Sequence, residues 1–251
     1  QSRVLLCLKP GTSTPRHSEG DLLRLADGSL LLVWTRFTSG TGGDHDPADL
    51  VASVSTDGGA FWSTPRVVVA SEGGMNVMSV TLRRLPDGRI AMFHLVKYSL
   101  LNCRPVVRFS SDEGHTWSNP TEIVPSDDVG YDVLNNDRVL IDEQGRMVVP
   151  VARHAGSGMT PHFSAAGRLR CYHSNDQGSS WKVGAWAPDV PGIVLQEPGV
   201  FQARDGSLRM HARTNDGCHY IASSDDDGQT FSMPRPWTLR SPMSPATVER
   251  L

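Results

Sequence analysis

The 251-residue sequence is poor in the features that mark several common function classes. It has four cysteines, Cys7, Cys103, Cys171 and Cys218, widely spaced and without a CxxC pair. Neither a zinc site nor a disulfide framework is signalled, and four separate thiols are expected. No apolar stretch approaches the roughly 20 residues of a membrane-crossing helix, so no helical span is expected. Lys plus Arg number 24 against 27 Asp plus Glu, for a net charge of −3. With no basic run either, a nucleic-acid partner is not expected. No segment carries a strong helical period. Gln1 to Lys9 shows no secretory pattern, and residue 1 is not Met. A leader already removed fits both facts and leans the reading toward a secreted or periplasmic protein.

Turn chemistry is abundant instead. Gly (24) and Pro (17) make up about a sixth of the chain, high for a helical protein. One motif occurs four times: Ser55 to Trp62 (STDGGAFW), Ser110 to Trp117 (SSDEGHTW), Ser174 to Trp181 (SNDQGSSW) and Ser224 to Phe231 (SDDDGQTF). The pattern is S-x-D-x-G-x-x-W/F. Its Asp caps local N–H groups, its Gly accepts positive φ and its aromatic packs beneath the turn. These Asp residues read as turn formers and not as catalysts.

A tight hairpin alternates with each box, at Leu25 to Leu30, Leu85 to Ile90, Asp142 to Met147 and Ala203 to Leu208. The hairpin glycines Gly28, Gly88, Gly145 and Gly206 are 60, 57 and 61 residues apart. Four antiparallel strands in about 60 residues, repeated, predict an all-β chain folded as the four-stranded blades of a single β-propeller domain over 1–251. The blades fall at about 17–70, 75–125, 131–187 and 194–240. Ser241 to Leu251 reads as the start of a further blade, and Gln1 to Lys9 as an outer strand closing the ring. About four to five blades do not make a regular ring, which favours a truncated piece of a larger propeller.

The hairpin glycine aligns the innermost strands. Nine residues before it stand Glu19, Ser79, Asn136 and Glu197, all polar, with Ser244 as a fifth member. Their neighbours His17, Ser18, Asp21, Asn76, Asn135, Asp137, Arg138 and Gln196 are polar too. One polar register in successive blades predicts a central pocket. The second strands end in Arg36, Arg153 and Arg213, with His94 and Lys97 in blade two. Three guanidinia at matching places suit an anionic substrate group.

The repeated box resembles the Asp-box, or bacterial neuraminidase repeat, of the sialidase superfamily, along nearly the whole chain. The resemblance implies a six-bladed template and an exo-acting glycoside hydrolase that cleaves a terminal acidic, sialic acid-like sugar, without a cofactor. Sialidases hold the substrate carboxylate with three Arg, use a loop Asp of the first blade as acid/base and activate a Tyr nucleophile with a Glu. Glu197 followed by Arg213 matches the spacing of that Glu and the second Arg. Arg36 to Asp49 corresponds to the acid loop, with Asp44 or Asp46 as the acid. Glu19-Gly20-Asp21 stands where the family has its first Arg, adding carboxylates that suit a different sugar or an inverting mechanism. The third Arg and the Tyr would fall in blades outside this chain.

The expected catalytic residues are thus Asp44, Asp46, Glu197 and Glu19. The expected sugar contacts are Arg36, Arg213, Arg153, Asn136, Arg138, Asp21, Asn76 and Gln196. Asp44-His45-Asp46 alone does not name a metal, and none is expected. Two other readings compete. One is a non-catalytic carbohydrate-binding propeller. The other is a propeller lyase or other hydrolase of acidic polysaccharide, with His17, His94, His154 or Tyr131 as base.

Overall fold

The structure is a computed structural model that describes residues 4–71, 74–155 and 164–248. Among them there is no helix, and the ordered elements are 17 strands. The first repeat is a sheet of β1 (His17–Arg24), β2 (Leu30–Phe37), β3 (Ala48–Ser55) and β4 (Arg66–Val69), hydrogen-bonded in chain order. The second holds β5 (Asn76–Arg84), β6 (Ile90–Ser99), β7 (Asn102–Ser110) and the two-residue β8 (Thr121–Glu122). In the third the inner strand is broken into β9 (Tyr131–Val133) and β10 (Leu140–Ile141). Both pieces pair with β11 (Met147–His154), followed by β12 (Arg168–Ser174) and β13 (Lys182–Val183). A parallel bridge joins Cys103 of β7 to Tyr131 of β9. The fourth is β14 (Leu195–Gln202), β15 (Leu208–Thr214), β16 (Cys218–Ser224) and β17 (Arg235–Arg240), again in chain order. The pairings β1–β2–β3–β4, β5–β6, β9–β11, β10–β11, β11–β12–β13 and β14–β15–β16–β17 are antiparallel.

The chain divides into two compact units, one of Gln1–Ser99 with Val106–Pro120 and one of Leu100–Pro105 with Thr121–Leu251. In the first unit Leu31, Val33, Leu50, Ala52, Val77, Leu82, Ile90 and Met92 form a buried core. In the second, Leu169, Cys171, Val200, Met210, Ala212, Tyr220 and Phe231 do so. All four cysteines are free.

The boxes fold as their residue types dictate. In the second, the Asp112 carboxylate accepts from the Ser110 and Thr116 hydroxyls (2.7 and 2.5 Å) and from Thr116 N–H (2.8 Å). Gly114 N–H donates to Ser110 Oγ (2.8 Å), and Gly114 has φ +81°. The boxes of Asp176 and Asp226 repeat these contacts, and Asp57 keeps those from the Ser55 hydroxyl and Phe61 N–H, since Phe61 has no hydroxyl to add.

The first strands of the repeats carry a feature that the alternation of polar and apolar residues does not reveal. In β1, β5 and β14 the register shifts, so that two residues oppose one on the neighbouring strand. The first residue of each bulge is left-handed: Glu19 (φ 49°), Ser79 (φ 63°) and Glu197 (φ 50°). A bulge of this kind re-aims a side chain, and a left-handed non-glycine residue costs about 1–3 kcal/mol. The third repeat departs from the glycine alignment. Its left-handed residue is Asp137 (φ 56°), not Asn136. Asp137 stands five residues before Asp142, the first residue of the turn, whereas Glu19, Ser79 and Glu197 stand six before Leu25, Leu85 and Ala203. One residue fewer shifts the register.

The ends of the chain differ from the expected strands. Residues 4–10 and 241–248 form none, while residues 1–3 and 249–251 lie outside the described residues. The 241–248 segment instead gives the Ser244 carbonyl to His219 Nε2 (3.3 Å) and the Thr247 hydroxyl to Arg138.

Candidate functional site

In the first unit the bulge at Glu19 anchors a mixed acid–base cluster. Ser79 Oγ donates to Glu19 Oε2 (2.6 Å), so two bulge residues meet directly. Gly20 follows because a Cβ there would lie 2.8 Å from both the Val33 carbonyl and the Trp34 Cβ. Arg16 reaches Asp44 Oδ1 at 2.5 Å and lies 3.7 Å from Glu19 Oε1. Burial pushes the Glu19 carboxyl up, against the Ser79 hydrogen bond and the charges of Arg16 and Lys97, and its pKa stays above the usual value. Asp44 goes the other way. Burial raises it, but the Arg16 hydrogen bond and charge, with Lys97, bring it below.

The Gly-rich loop of Asp44 is fixed from several directions. Asn76 Nδ2 donates to the carbonyls of Asp44 (3.0 Å) and Asp46 (2.8 Å), and Lys97 Nζ donates to the Asp44 carbonyl (2.6 Å). The Asp46 carboxylate accepts from the N–H groups of Thr41 (2.8 Å) and Gly43 (2.9 Å), and from the Thr41 hydroxyl. These bonds hold its pKa low and make it the cap of its own loop. Asn76 is therefore a buried support. Asp21 accepts from Leu82 N–H (2.7 Å) and Arg83 (3.3 Å), which ties β1 to β5. Arg36 faces Asp49 at 3.4 Å.

In the second unit Glu197 and Arg213 meet directly. Arg213 NH1 lies 3.0 Å from both Glu197 oxygens, while its Nε and NH2 donate to Gln196 Oε1 (3.0 and 2.6 Å). Asn135 adds a hydrogen bond to Glu197 and Arg138 adds a charge. Burial nevertheless keeps the Glu197 carboxyl above its ordinary value. Asn136 is half-buried beside them. Arg153 serves another cluster. It binds Asp132 through Nε and NH2 (2.7 and 2.6 Å) and Asp128 through NH1 (2.5 Å), and Asp132 is fully buried. Two carboxylates compensate this guanidinium, so it is a structural tie.

Sequence reasoning missed Arg16, Asp128 and Asp132, and none of the three lies in a repeated motif. The histidines considered as bases are held neutral. His94 is buried and its pKa falls to about 3, with Arg108 Nε donating to its Nε2 (3.2 Å). His17 Nδ1 accepts from Trp34 Nε1 (3.0 Å), and burial lowers the pKa of His17 and of His154. Among the described residues no group of three or more His, Cys, Asp or Glu is placed to hold a metal ion. Asp44 turns to Arg16 and Asp46 to backbone N–H groups, so Asp44-His45-Asp46 does not converge.

Repeated runs of strands joined by Asp-box turns, in two four-stranded sheets and one nine-stranded sheet, define an all-β fold of the sialidase superfamily. The chain belongs to the family of BNR repeat-like domains, whose model matches residues 19–250. A curated relative, the anhydrosialidase of Macrobdella decora, is 27% identical over 127 residues, 50% of this chain and 16% of that protein. Among solved structures, a protein of unknown function from Dyadobacter fermentans superposes with a TM-score of 0.73 at 18% identity, covering 93% of this chain and 72% of that one. The leech intramolecular trans-sialidase, complexed with 2,7-anhydro-Neu5Ac, gives 0.69 at 15% identity, covering 95% and 53%. The Trypanosoma rangeli sialidase in complex with sialic acid gives 0.64 at 17%, covering 87% and 37%. At these identities the structural likeness is one of fold. The chain spans 16% of the curated relative's length and about half of the leech structure.

Proposed function

We propose that the four repeats are propeller blades and that the protein is an exo-acting glycoside hydrolase cleaving a terminal acidic sugar. The observation that carries this reading is the Glu197–Arg213 pair. A left-handed bulge residue presents a carboxyl of raised pKa, and the facing strand end presents a guanidinium 3.0 Å away. The resemblance to sialidases singles out both residues, whose spacing matches that of the family's Glu and second Arg. The relatives with named activities are an anhydrosialidase, a trans-sialidase and a sialidase, which agrees with an acidic sugar as the substrate class. In this reading Arg213 orients the sugar carboxylate, and Glu197 faces the reacting centre. The other carboxyls expected to be catalytic, Glu19 and Asp44, belong to the first unit, where Ser79 and Arg16 meet them. Arg36, Arg153 and Arg213 each meet a carboxylate of the protein itself, and only the partner of Arg213, Glu197, is among the expected catalytic residues.

The test is release of the aryl group from a panel of aryl glycosides, including sialoside, uronide and neutral hexosides. The expected result is turnover confined to acidic sugars and lost in Glu197→Gln. Turnover of neutral hexosides alone, no turnover at all, or full activity in Glu197→Gln would count against the reading.

A further inference from the structure

Gln196 on β14 stands directly opposite Arg213 on β15, and the register shifts immediately after it. Successive side chains of a regular strand point to opposite faces. Here the left-handed Glu197 breaks that alternation, so Gln196 and Glu197 both turn to the one guanidinium. Gln196 Oε1 accepts from Arg213 Nε (3.0 Å) and Nη2 (2.6 Å), which uses both of its lone pairs. Its Nε2 donates to the Ala165 carbonyl. The opposite amide orientation would aim N–H at N–H and carbonyl at carbonyl, so these contacts fix which way the amide points. The Ala165 segment is itself held, since Gly167 N–H donates to the Leu195 carbonyl (2.7 Å). A Cβ on Gly167 would lie 2.8 Å from the Ala152 Cβ, so this segment packs close against β11.

We propose that Gln196 is a positioning residue that fixes the fork of Arg213 and, being neutral, does so without a second carboxylate that would repel an acidic sugar. The charge role rests on the acidic-sugar reading and deepens it, whereas the positioning role stands without it. Arg153 supplies the contrast within the same unit. It meets two carboxylates, those of Asp128 and Asp132. Arg213 meets one carboxylate, at 3.0 Å, and one amide oxygen. The amide oxygen takes two N–H donors in the plane of the fork, as a carboxylate would, and adds no charge. Of the five N–H groups of Arg213, Gln196 takes one on Nε and one on Nη2, and Glu197 faces Nη1. The second N–H of Nη2 meets no acceptor among the described residues, and about a fifth of the side chain (21%) is exposed. That N–H is the one left for a ligand. In this role Gln196 acts through Arg213 and is not a sugar contact itself.

The test has a spectroscopic arm and a binding arm. In nitrogen-15 spectra the Arg213 Nε–H signal is assigned by its loss in Arg213→Lys. An Nε–H that exchanges with solvent in wild type as fast as that of the exposed Arg204 would overturn the positioning role without any further variant. Exchange should quicken about tenfold or more in Gln196→Met, which keeps the length of the side chain and removes the acceptor. In Gln196→Glu, which keeps an acceptor, it should stay as slow as in wild type. Thermal melting checks that each variant folds. Unchanged exchange in Gln196→Met would overturn the positioning role. Binding is read by calorimetric titration with sialic acid near neutral pH. Gln196→Glu is expected to bind about tenfold or more weakly although its Nε–H stays protected, because the added carboxylate repels that of the sugar. Wild-type affinity in Gln196→Glu would overturn the charge role. Loss of affinity in Gln196→Met with the Nε–H still protected would make Gln196 a sugar contact and overturn the proposal. A wild-type chain that binds no acidic sugar would overturn the acidic-sugar reading and the charge role together, while the Nε–H exchange still decides the positioning role.

Discussion

Arg153 shows how a single side chain can look like a ligand-binding group and be a brace. It ends β11 as Arg36 ends β2 and Arg213 ends β15, yet it is gripped by the buried Asp132 and by Asp128. Removing one partner of such a pair typically costs about 3–5 kcal/mol, because a buried charge is left uncompensated. Arg153→Ala should therefore lower the denaturation midpoint by that order, with an unchanged slope. A variant as stable as wild type that no longer binds sugar would mean that Arg153 faces ligand instead. The box aspartates make a second prediction at this scale. Asp112 is lowered from 3.8 to about 2 by its hydrogen bonds from Thr116 and Ser110. A depressed folded pKa gives stability that is present above the unfolded pKa and lost as pH falls through the folded one. Between about pH 4 and pH 2 the wild type should lose stability more steeply than Asp112→Asn, by urea melts at each pH. Parallel curves would show that the Asp112 carboxylate is not engaged.

At the scale of the element, the box turns and D-G hairpins were legible because each rests on local chemistry. Asp hydroxyl bonds, a left-handed Gly and an aromatic are fixed within eight residues. The inner-strand bulges were half legible. The glycine alignment picked Glu19, Ser79 and Glu197 but not their conformation, since a bulge depends on strand pairing that no local pattern encodes. It missed Asp137 because the third repeat has one residue fewer at that point. Arg16 was invisible because it meets Asp44 across 28 positions. The same long reach makes Asn76 the holder of the Gly-rich loop. Asn76→Ala should raise amide hydrogen exchange over residues 41–46 and leave that of the first box unchanged. Equal protection in the variant would mean that Asp46 and Lys97 hold the loop without it. Trp117→Ala in the second box should cost somewhat less than the about 3–5 kcal/mol of a fully buried aromatic, since Trp117 is only half-buried against the core.

At the scale of the whole molecule, the chain has a sialidase-superfamily fold, and the proposed function adds a site that reads the charge of a terminal sugar. Each unit carries a core of its own, and each presents a left-handed glutamate on the first strand of a repeat, Glu19 on β1 and Glu197 on β14. The two glutamates share a physical character: burial raises both carboxyls, while a nearby guanidinium opposes it. The acidic-sugar claim rests mainly on Arg213. A charge-assisted hydrogen bond to a carboxylate is worth about 1.5–3 kcal/mol, so losing it should weaken binding by about tenfold or more. The most direct test is calorimetric titration of the chain with sialic acid and with a neutral hexose, in wild type and in a folded Arg213→Ala variant. The account predicts binding of the acidic sugar alone, weakened at least about tenfold in Arg213→Ala. Equal affinity for both sugars, or sialic acid affinity unchanged in the variant, would contradict it.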